Sequence, residues 1–207
     1  MSGDIGIIFM RHGRSRADDE NVIEGRYDSP LTETGRDQAR VRGKELKAKG
    51  VVFDVIIASS LVRAAETAKI IGGILGVVVE IDADWMEIDN GPLAGLSREE
   101  AREKYPLPDF QNPFDPLVVS AQAGESMWGL HGRAARALEK VIRRGSGQYL
   151  VVAHGGILNA ALWCVVGAQP PVRGQGVNFA LGDTGFIRTR YVPGQHLWVI
   201  YELRSGG

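Results

Sequence analysis

Cysteine is nearly absent from this sequence, with Cys164 the only one in 207 residues. A lone thiol cannot close an intramolecular disulfide, so the fold does not depend on an oxidising compartment. Nothing basic flanks it in "ALWCVVG", which favours a buried structural thiol over a nucleophile. Net charge is also lacking. Lys and Arg total 24 against 25 Asp and Glu, a formal charge of -1. That balance gives no reason to expect nucleic acid or an anionic membrane as partner, so any anion site must be a local cluster. No apolar run approaches the roughly 20 residues that span a bilayer. The N-terminus lacks the basic segment, apolar stretch and small-residue cleavage site of a signal peptide. A cytoplasmic protein is the simplest expectation.

The sequence does contain an ordinary apolar fraction, 44%, in one chain long enough to bury a substantial core. Strand-length apolar runs alternate with helix-patterned segments. "IGIIF" (5–9), "FDVIIAS" (53–59), "VVVEI" (77–81) and "QYLVVAH" (148–154) read as strands. Residues 31–50 read as a helix capped by Thr32 and stopped by Gly50, with Ala39, Val41 and Leu46 on its apolar side. Helices are also expected at 63–75, 97–105, 124–144 and 155–167, the third-strand follower at 97 opened by a Ser97–Glu100 capping box. "NFALGDTGF" reads as a hairpin, and further strands follow it in the tail. Residues 106–124 hold four of the nine prolines and form an irregular excursion expected to cover a pocket. The "GGILG" run at 72–76 falls at a helix end and is a cap rather than a nucleotide loop. The tryptophans, Trp85, Trp128, Trp163 and Trp198, default to core or pocket wall.

Such alternation implies a single domain over 1–207, an α/β class three-layer α/β/α sandwich around a mostly parallel central sheet. Ligands of such sheets gather at the carboxyl ends of the strands. His12 follows the first strand, Ser59 to Arg63 follow the second, and His154 follows the late one. The topology would bring them to one rim. Together they offer what phosphate-monoester cleavage through a histidine requires. A neutral imidazole attacks phosphorus, forked cations hold the equatorial oxygens, and an acid protonates the leaving oxygen. His12 is the candidate nucleophile, its pKa depressed by arginine charge. Gly13 would let the backbone pass close to a ligand. Arg11 and Arg63 are the clamps, with His154 a further donor. Arg63 stands at a helix start, where a cation is disfavoured unless an anion lies in front of it. Glu87, in "DWMEIDNG", is placed as the acid.

"RHGRS", "EGRYDSPLTETGRDQA", "SSLVRAAETA", "MEIDNG", "GES" and "VVAHGG" follow one another in order between about residues 5 and 160. This series resembles the histidine phosphatase superfamily, in its phosphoglycerate mutase-like branch. The resemblance implies that His12 is transiently phosphorylated, that Arg11, Arg63 and His154 form the phosphate pocket, and that Glu87 is the proton donor. It also implies catalysis with no metal and no cofactor; His131 and His196 show no ligand-like spacing. The implied activity is metal-independent hydrolysis of small phosphorylated metabolites. A cofactor-dependent phosphoglycerate mutase and a non-catalytic phospho-ligand-binding protein are the rivals. Against the mutase stand the short chain, "MEIDNG" at the acid and no arginine pair in 105–123. No nucleic-acid or membrane partner is expected, and a homodimer is compatible with the sequence.

Departures from the family pattern fall at Arg14, where many relatives carry Glu, at "GPLAGLS" after the acid, and at Asn159, where many place an arginine. Asn21 lies further from His12 than the usual asparagine of the first loop. Asn21, Ser15, Arg26 and Gly155 are assigned to substrate binding, although loop polarity explains Ser15 and Arg26 almost equally well. Glu87 read alone would be a surface carboxylate, and Arg11–His12 a solvated strand end.

Overall fold

Residues 3–106, 124–171 and 176–206 are described by a computed structural model. Strand β1 (Ile5–Arg11) is apolar on both sides and buried along nearly its whole length. That is the signature of a strand covered by helices on two faces. Ile5, Ile7 and Phe9 enter one core and Ile8 and Met10 the other, as the two-residue period of a strand requires. Strands β2 (Val55–Ala58) and β4 (Gly147–Ala153) divide likewise: Ile57 and Val151 on the first face, Ile56 and Val152 on the second.

The first core is closed by helices α5 (Met127–Ile142) and α6 (Gly155–Val166). The second is closed by α2 (Glu33–Ala48) and α3 (Val62–Leu75). Two short helices, α1 (Arg16–Glu20) and α4 (Arg98–Lys104), lie outside these layers. With β3 (Val79–Ile81), β5 (Phe186–Val192) and β6 (Leu197–Arg204), the strands form one six-stranded sheet of order β3-β2-β4-β1-β5-β6. The pairs β3/β2, β2/β4 and β4/β1 are parallel, while β5 is antiparallel to both its neighbours. The chain therefore forms a mixed, mostly parallel α/β/α sandwich.

Register sets the site. Arg11 pairs with Ala153, and Ala58 pairs with Val152. The strands end level, and the hydrogen bonds from His12 N–H to Ala153 O (3.0 Å) and Ser59 N–H to Val152 O (3.0 Å) carry the alignment one residue further.

Several local expectations hold in detail. Thr32 caps α2, Ser97 and Glu100 make a reciprocal capping box on α4, and Gly76 ends α3 in the left-handed region. Val41 is a correction: it is 56% exposed, and the buried stripe of α2 runs through Gly35, Ala39, Gly43 and Leu46. "NFALGDTGF" is a second correction, because no strand forms at 177–181. Asn159 of α6 accepts Phe179 N–H at 2.7 Å and donates to Phe179 O at 3.1 Å, while Trp163 Nε1 donates to Val177 O. These side chains use the backbone groups that a hairpin partner would need. The hairpin forms later, between β5 and β6 through Pro193–Gln195. Trp85 and Trp163 are core residues, whereas Trp128 and Trp198 are only partly buried. The excursion expected at 106–124 lies almost wholly outside the described residues.

Candidate active site

His12 leaves the end of β1 and is 1% exposed. Its Nδ1 lies 2.7 Å from Gly13 O. A carbonyl only accepts, so Nδ1 carries the proton and the lone pair is on Nε2. Arg63 Nε–H points at that lone pair from 3.2 Å. Burial, then the charges of Arg63 and Arg11, lower the His12 pKa to about 3. The imidazole is therefore neutral near neutral pH, and the 3.7 Å approach of Glu24 to Nε2 is not an ion pair. Gly13 plays another part than the sequence suggested. A Cβ there would strike the Gly35 carbonyl of α2, so the glycine serves helix packing.

Arg63 opens α3 fully buried. Its guanidinium also donates to Tyr27 O (3.0 Å) and Gly25 O (2.8 Å), and its Nε lies 3.2 Å from Glu24 Oε1. The anion expected in front of it is supplied by the protein as Glu24. Arg11 is less enclosed, donating to Leu181 O and Asp18 and standing 3.8 Å from Asp183.

His154 follows β4 and is also buried, its ring 5.0 Å from that of His12. Ser59 Oγ accepts Leu61 N–H and lies 2.8 Å from His154 Nε2. In the tautomer in which the hydroxyl donates to Nε2, the imidazole proton is on Nδ1. That Nδ1 is buried with no protein partner among the described residues. Burial, Arg63 and His12 hold the His154 pKa well below its ordinary value.

Glu87 lies beyond the turn Ala83–Trp85, which buried Trp85 anchors against Phe9. It is not a free surface carboxylate. Its oxygens accept Gly156 N–H (2.8 Å), Ile157 N–H (3.0 Å) and Ile88 N–H (2.8 Å), which pins it to the start of α6 beside His154. Its charge is felt by Arg63. Arg133 of α5 fastens the same loop by donating to the carbonyls of Asp84, Met86 and Glu87 while it clasps Glu125 with two nitrogens.

The four residues assigned to substrate binding separate. Ser15 is buried as the N-cap of α1, with its hydroxyl on Asp18 and Glu24. Asn21 is an exposed left-handed cap at the other end of α1, its backbone N–H bonded to Ala17 O. Arg26 is tied to the acid loop, through Glu87 O (3.4 Å) and Asp89 (3.2 Å). Gly155 begins α6 with open space where a Cβ would stand. Sequence reasoning missed Glu24, Asp18, Arg133 and the orienting role of Ser59. Glu24 opens the quoted segment "EGRYDSPLTETGRDQA", but nothing in that segment marks it as the carboxylate beside His12. Only the fold shows that it faces His12.

Burial of two neutral imidazoles beside two arginines at the carboxyl edge of a parallel sheet defines an α/β protein with an anion-receptive histidine pocket. The family model for the histidine phosphatase superfamily (branch 1) matches residues 7–200, and the chain belongs to that family. It is 35% identical over 161 residues to a 2,3-bisphosphoglycerate-dependent phosphoglycerate mutase of Parvibaculum lavamentivorans, covering 74% of this chain and 76% of that one. Among solved structures, YhfR of Bacillus stearothermophilus superposes with a TM-score of 0.82 at 25% identity, covering 98% of each chain. A mycobacterial glucosyl-3-phosphoglycerate phosphatase complexed with VO3 superposes at 0.80 with 20% identity, covering 97% of this chain and 99% of that one; at that identity it speaks for the fold.

Among the described residues no helix is long and apolar enough to cross a membrane. No group of three or more His, Cys, Asp or Glu among them is placed to hold a metal ion. Cys164 is half-buried with Sγ 3.8 Å from His131 Nε2, and burial raises its pKa.

Proposed function

We propose that the protein is a phosphomonoesterase that hydrolyses small phosphorylated metabolites through a phosphohistidine on His12. One observation carries the reading: His12 is buried and neutral, with its Nε2 lone pair facing the Arg63 guanidinium. A lone pair in a cation-lined pocket is what attack on phosphorus needs. The unpartnered Nδ1 of His154 supplies a further donor for a phosphoryl oxygen. A phosphoryl group entering the pocket draws Arg63 Nε–H from nitrogen to oxygen and frees the lone pair.

In the first half-reaction Nε2 bonds to phosphorus as the ester P–O bond breaks, and Glu87, protonated, gives its proton to the departing alkoxide. In the second, Glu87 takes a proton from water, whose oxygen attacks phosphorus and releases phosphate from Nε2. For Glu87 to act as the acid, it must release at least one of its backbone N–H partners when protonated.

The second reading is mutase chemistry, in which the phosphohistidine returns its phosphoryl group to substrate. The name of the Parvibaculum relative favours it; "MEIDNG" at the acid and the lack of an arginine pair in 105–123 favour hydrolysis. Single-turnover assay with a labelled phosphate ester distinguishes them. Label passing to His12 and then to inorganic phosphate supports the phosphatase. Label returning to phosphoglycerate without phosphate release overturns it in favour of the mutase, and no label on the protein overturns both.

A further inference from the structure

The carboxylate of Glu24 occupies the phosphoryl pocket in a manner that neither half-reaction explains. Its Oε1 accepts from the Ser29 hydroxyl at 3.0 Å and from the Ser15 hydroxyl at 2.5 Å, which Asp18 shares, and it stands 3.2 Å from Arg63 Nε as an ion pair. Both serines are completely buried, so the carboxylate is clamped and does not swing freely. Its Oε2 has no hydrogen-bond donor among the described residues and faces His12 Nε2 from 3.7 Å. A phosphorus atom in line for attack by Nε2 therefore carries an equatorial oxygen into the neighbourhood of Oε2. Two anionic oxygens at hydrogen-bond distance in a buried pocket repel strongly unless a proton lies between them.

We propose that Glu24 is a proton-sharing residue of the phosphoryl site: binding of a phosphate dianion is coupled to the uptake of one proton, held between Oε2 and a phosphoryl oxygen. The inference rests on the reading of this pocket as a phosphoryl site. The proton comes from solvent, and no other bond changes. The groups that face Glu24 are few. Arg63 from α3 favours its ionised form, as do the two serine hydroxyls, while Asp18 from α1 opposes it. His12 from β1 is neutral. Burial outweighs the favourable contacts and raises the Glu24 pKa, so the carboxyl already leans towards accepting the proton. Arg63 is already charge-paired with Glu24, and Arg11 with Asp18 and Asp183, so neither is a free cation for an incoming dianion beside Oε2.

Calorimetric titration with inorganic phosphate, in buffers of differing ionisation enthalpy, reads the proton directly. At about pH 8.5, where phosphate is a dianion, the wild-type protein is expected to take up about one proton per phosphate bound. Its Kd weakens about tenfold per pH unit in that range. Glu24→Gln, which presents a permanent N–H donor to the same oxygen, takes up none, and its Kd is flat with pH. Equal uptake in wild type and E24Q assigns the proton to an imidazole and overturns the proposal. Wild-type binding with no uptake overturns it as well. Failure of the wild type to bind phosphate at any pH overturns the phosphoryl reading of the pocket instead. Ser29→Ala supplies an arm that keeps the carboxyl. It is expected to take up about one proton per phosphate at about pH 8.5, as the wild type does, and loss of that uptake while phosphate still binds counts against Glu24.

Discussion

The two sides of β1 carry different loads. On one side β4, β2 and β3 run parallel to it, and β2 is buried at every position. On the other, β5 and β6 form an antiparallel hairpin whose outer strand exposes Leu197, Ile200, Tyr201 and Leu203. All five residues to which catalysis was assigned belong to the parallel half or its loops, with none on the hairpin. A parallel strand must be followed by a crossover, so each end delivers a loop and a helix start to the same edge. That edge receives His12, Ser59 and His154 from β1, β2 and β4. The antiparallel strand enters there instead of leaving, and contributes only its approach: Thr184 N–H on His12 O, and Gly185 O accepting Arg11 N–H. The approach to the hairpin holds the β1 rim, and none of the residues assigned to catalysis lies on it.

The sharpest way to break this contrast is to remove chemistry from the parallel rim. His12→Ala is expected to lower kcat by about a thousandfold or more and to abolish protein labelling by a phosphate ester. Retained turnover would mean that the nucleophile lies elsewhere. Glu87→Gln should cost on the order of 10²–10⁴ in kcat, the usual contribution of a positioned acid. The loss should be smaller with a leaving group that needs no proton, such as a nitrophenolate. An equal loss on both substrates would reduce Glu87 to holding the start of α6.

That contrast was only half legible in the sequence. Buried strands such as "IGIIF" and "LVVA" have no competing reading, and glycines and capped serines punctuate the helices between them. The rim therefore followed from order alone, together with His12, Arg63 and His154. Polar loops were not legible in this way. Ser15 and Asn21 look like ligand-binding residues in a string of polar letters, yet one caps a helix start and the other a helix end. "NFALGDTGF" carries a strand-turn-strand pattern, but Asn159, 20 residues earlier, takes up Phe179's backbone groups. Where two polar groups compete for a backbone amide, long-range geometry decides, and a local pattern cannot register it. Glu24 and Arg133 were missed for the same reason, since their partners come from distant segments.

Arg133 tests whether the rim depends on what supports it from behind. Its guanidinium is nearly buried, and Glu125, its bidentate partner, is 15% exposed. Arg133→Met removes its hydrogen bonds to that carboxylate and to the carbonyls of Asp84, Met86 and Glu87, leaving Arg26 on Glu87 O and Asp89 N–H on Glu125. A loss of about 3 kcal/mol of stability is expected, towards the lower end for a broken buried pair, measurable by urea unfolding. Activity should fall about tenfold beyond any loss of folded protein, because the loop that carries Glu87 loses one of its supports, and the loss should appear in kcat more than in KM. The two buried imidazoles make a related demand on pH. Their folded pKa values lie below the unfolded 6.5, so the unfolded chain binds more protons as pH falls below that value. For His12 that stability is full above about pH 6.5 and is lost towards pH 3 at on the order of 1 kcal/mol per pH unit, and His154 acts in the same direction. His12→Asn should flatten the slope measured by urea titration between about pH 6 and 5. An unchanged slope would show that His12 is solvated.

The smallest effect is expected at the outer strand. Leu203 of β6 pairs with Ile187 but is 52% exposed. Leu203→Thr keeps a residue suited to a strand and removes an apolar side chain already largely in water. Stability should change by no more than about 0.5 kcal/mol, as for surface substitutions generally. Turnover should stay within about twofold, because the backbone ladder through β5 to β1, and with it the position of His12, is untouched. A tenfold fall in turnover with stability unchanged would show that the exposed side of the hairpin reaches the rim, and the division of labour across β1 would fail.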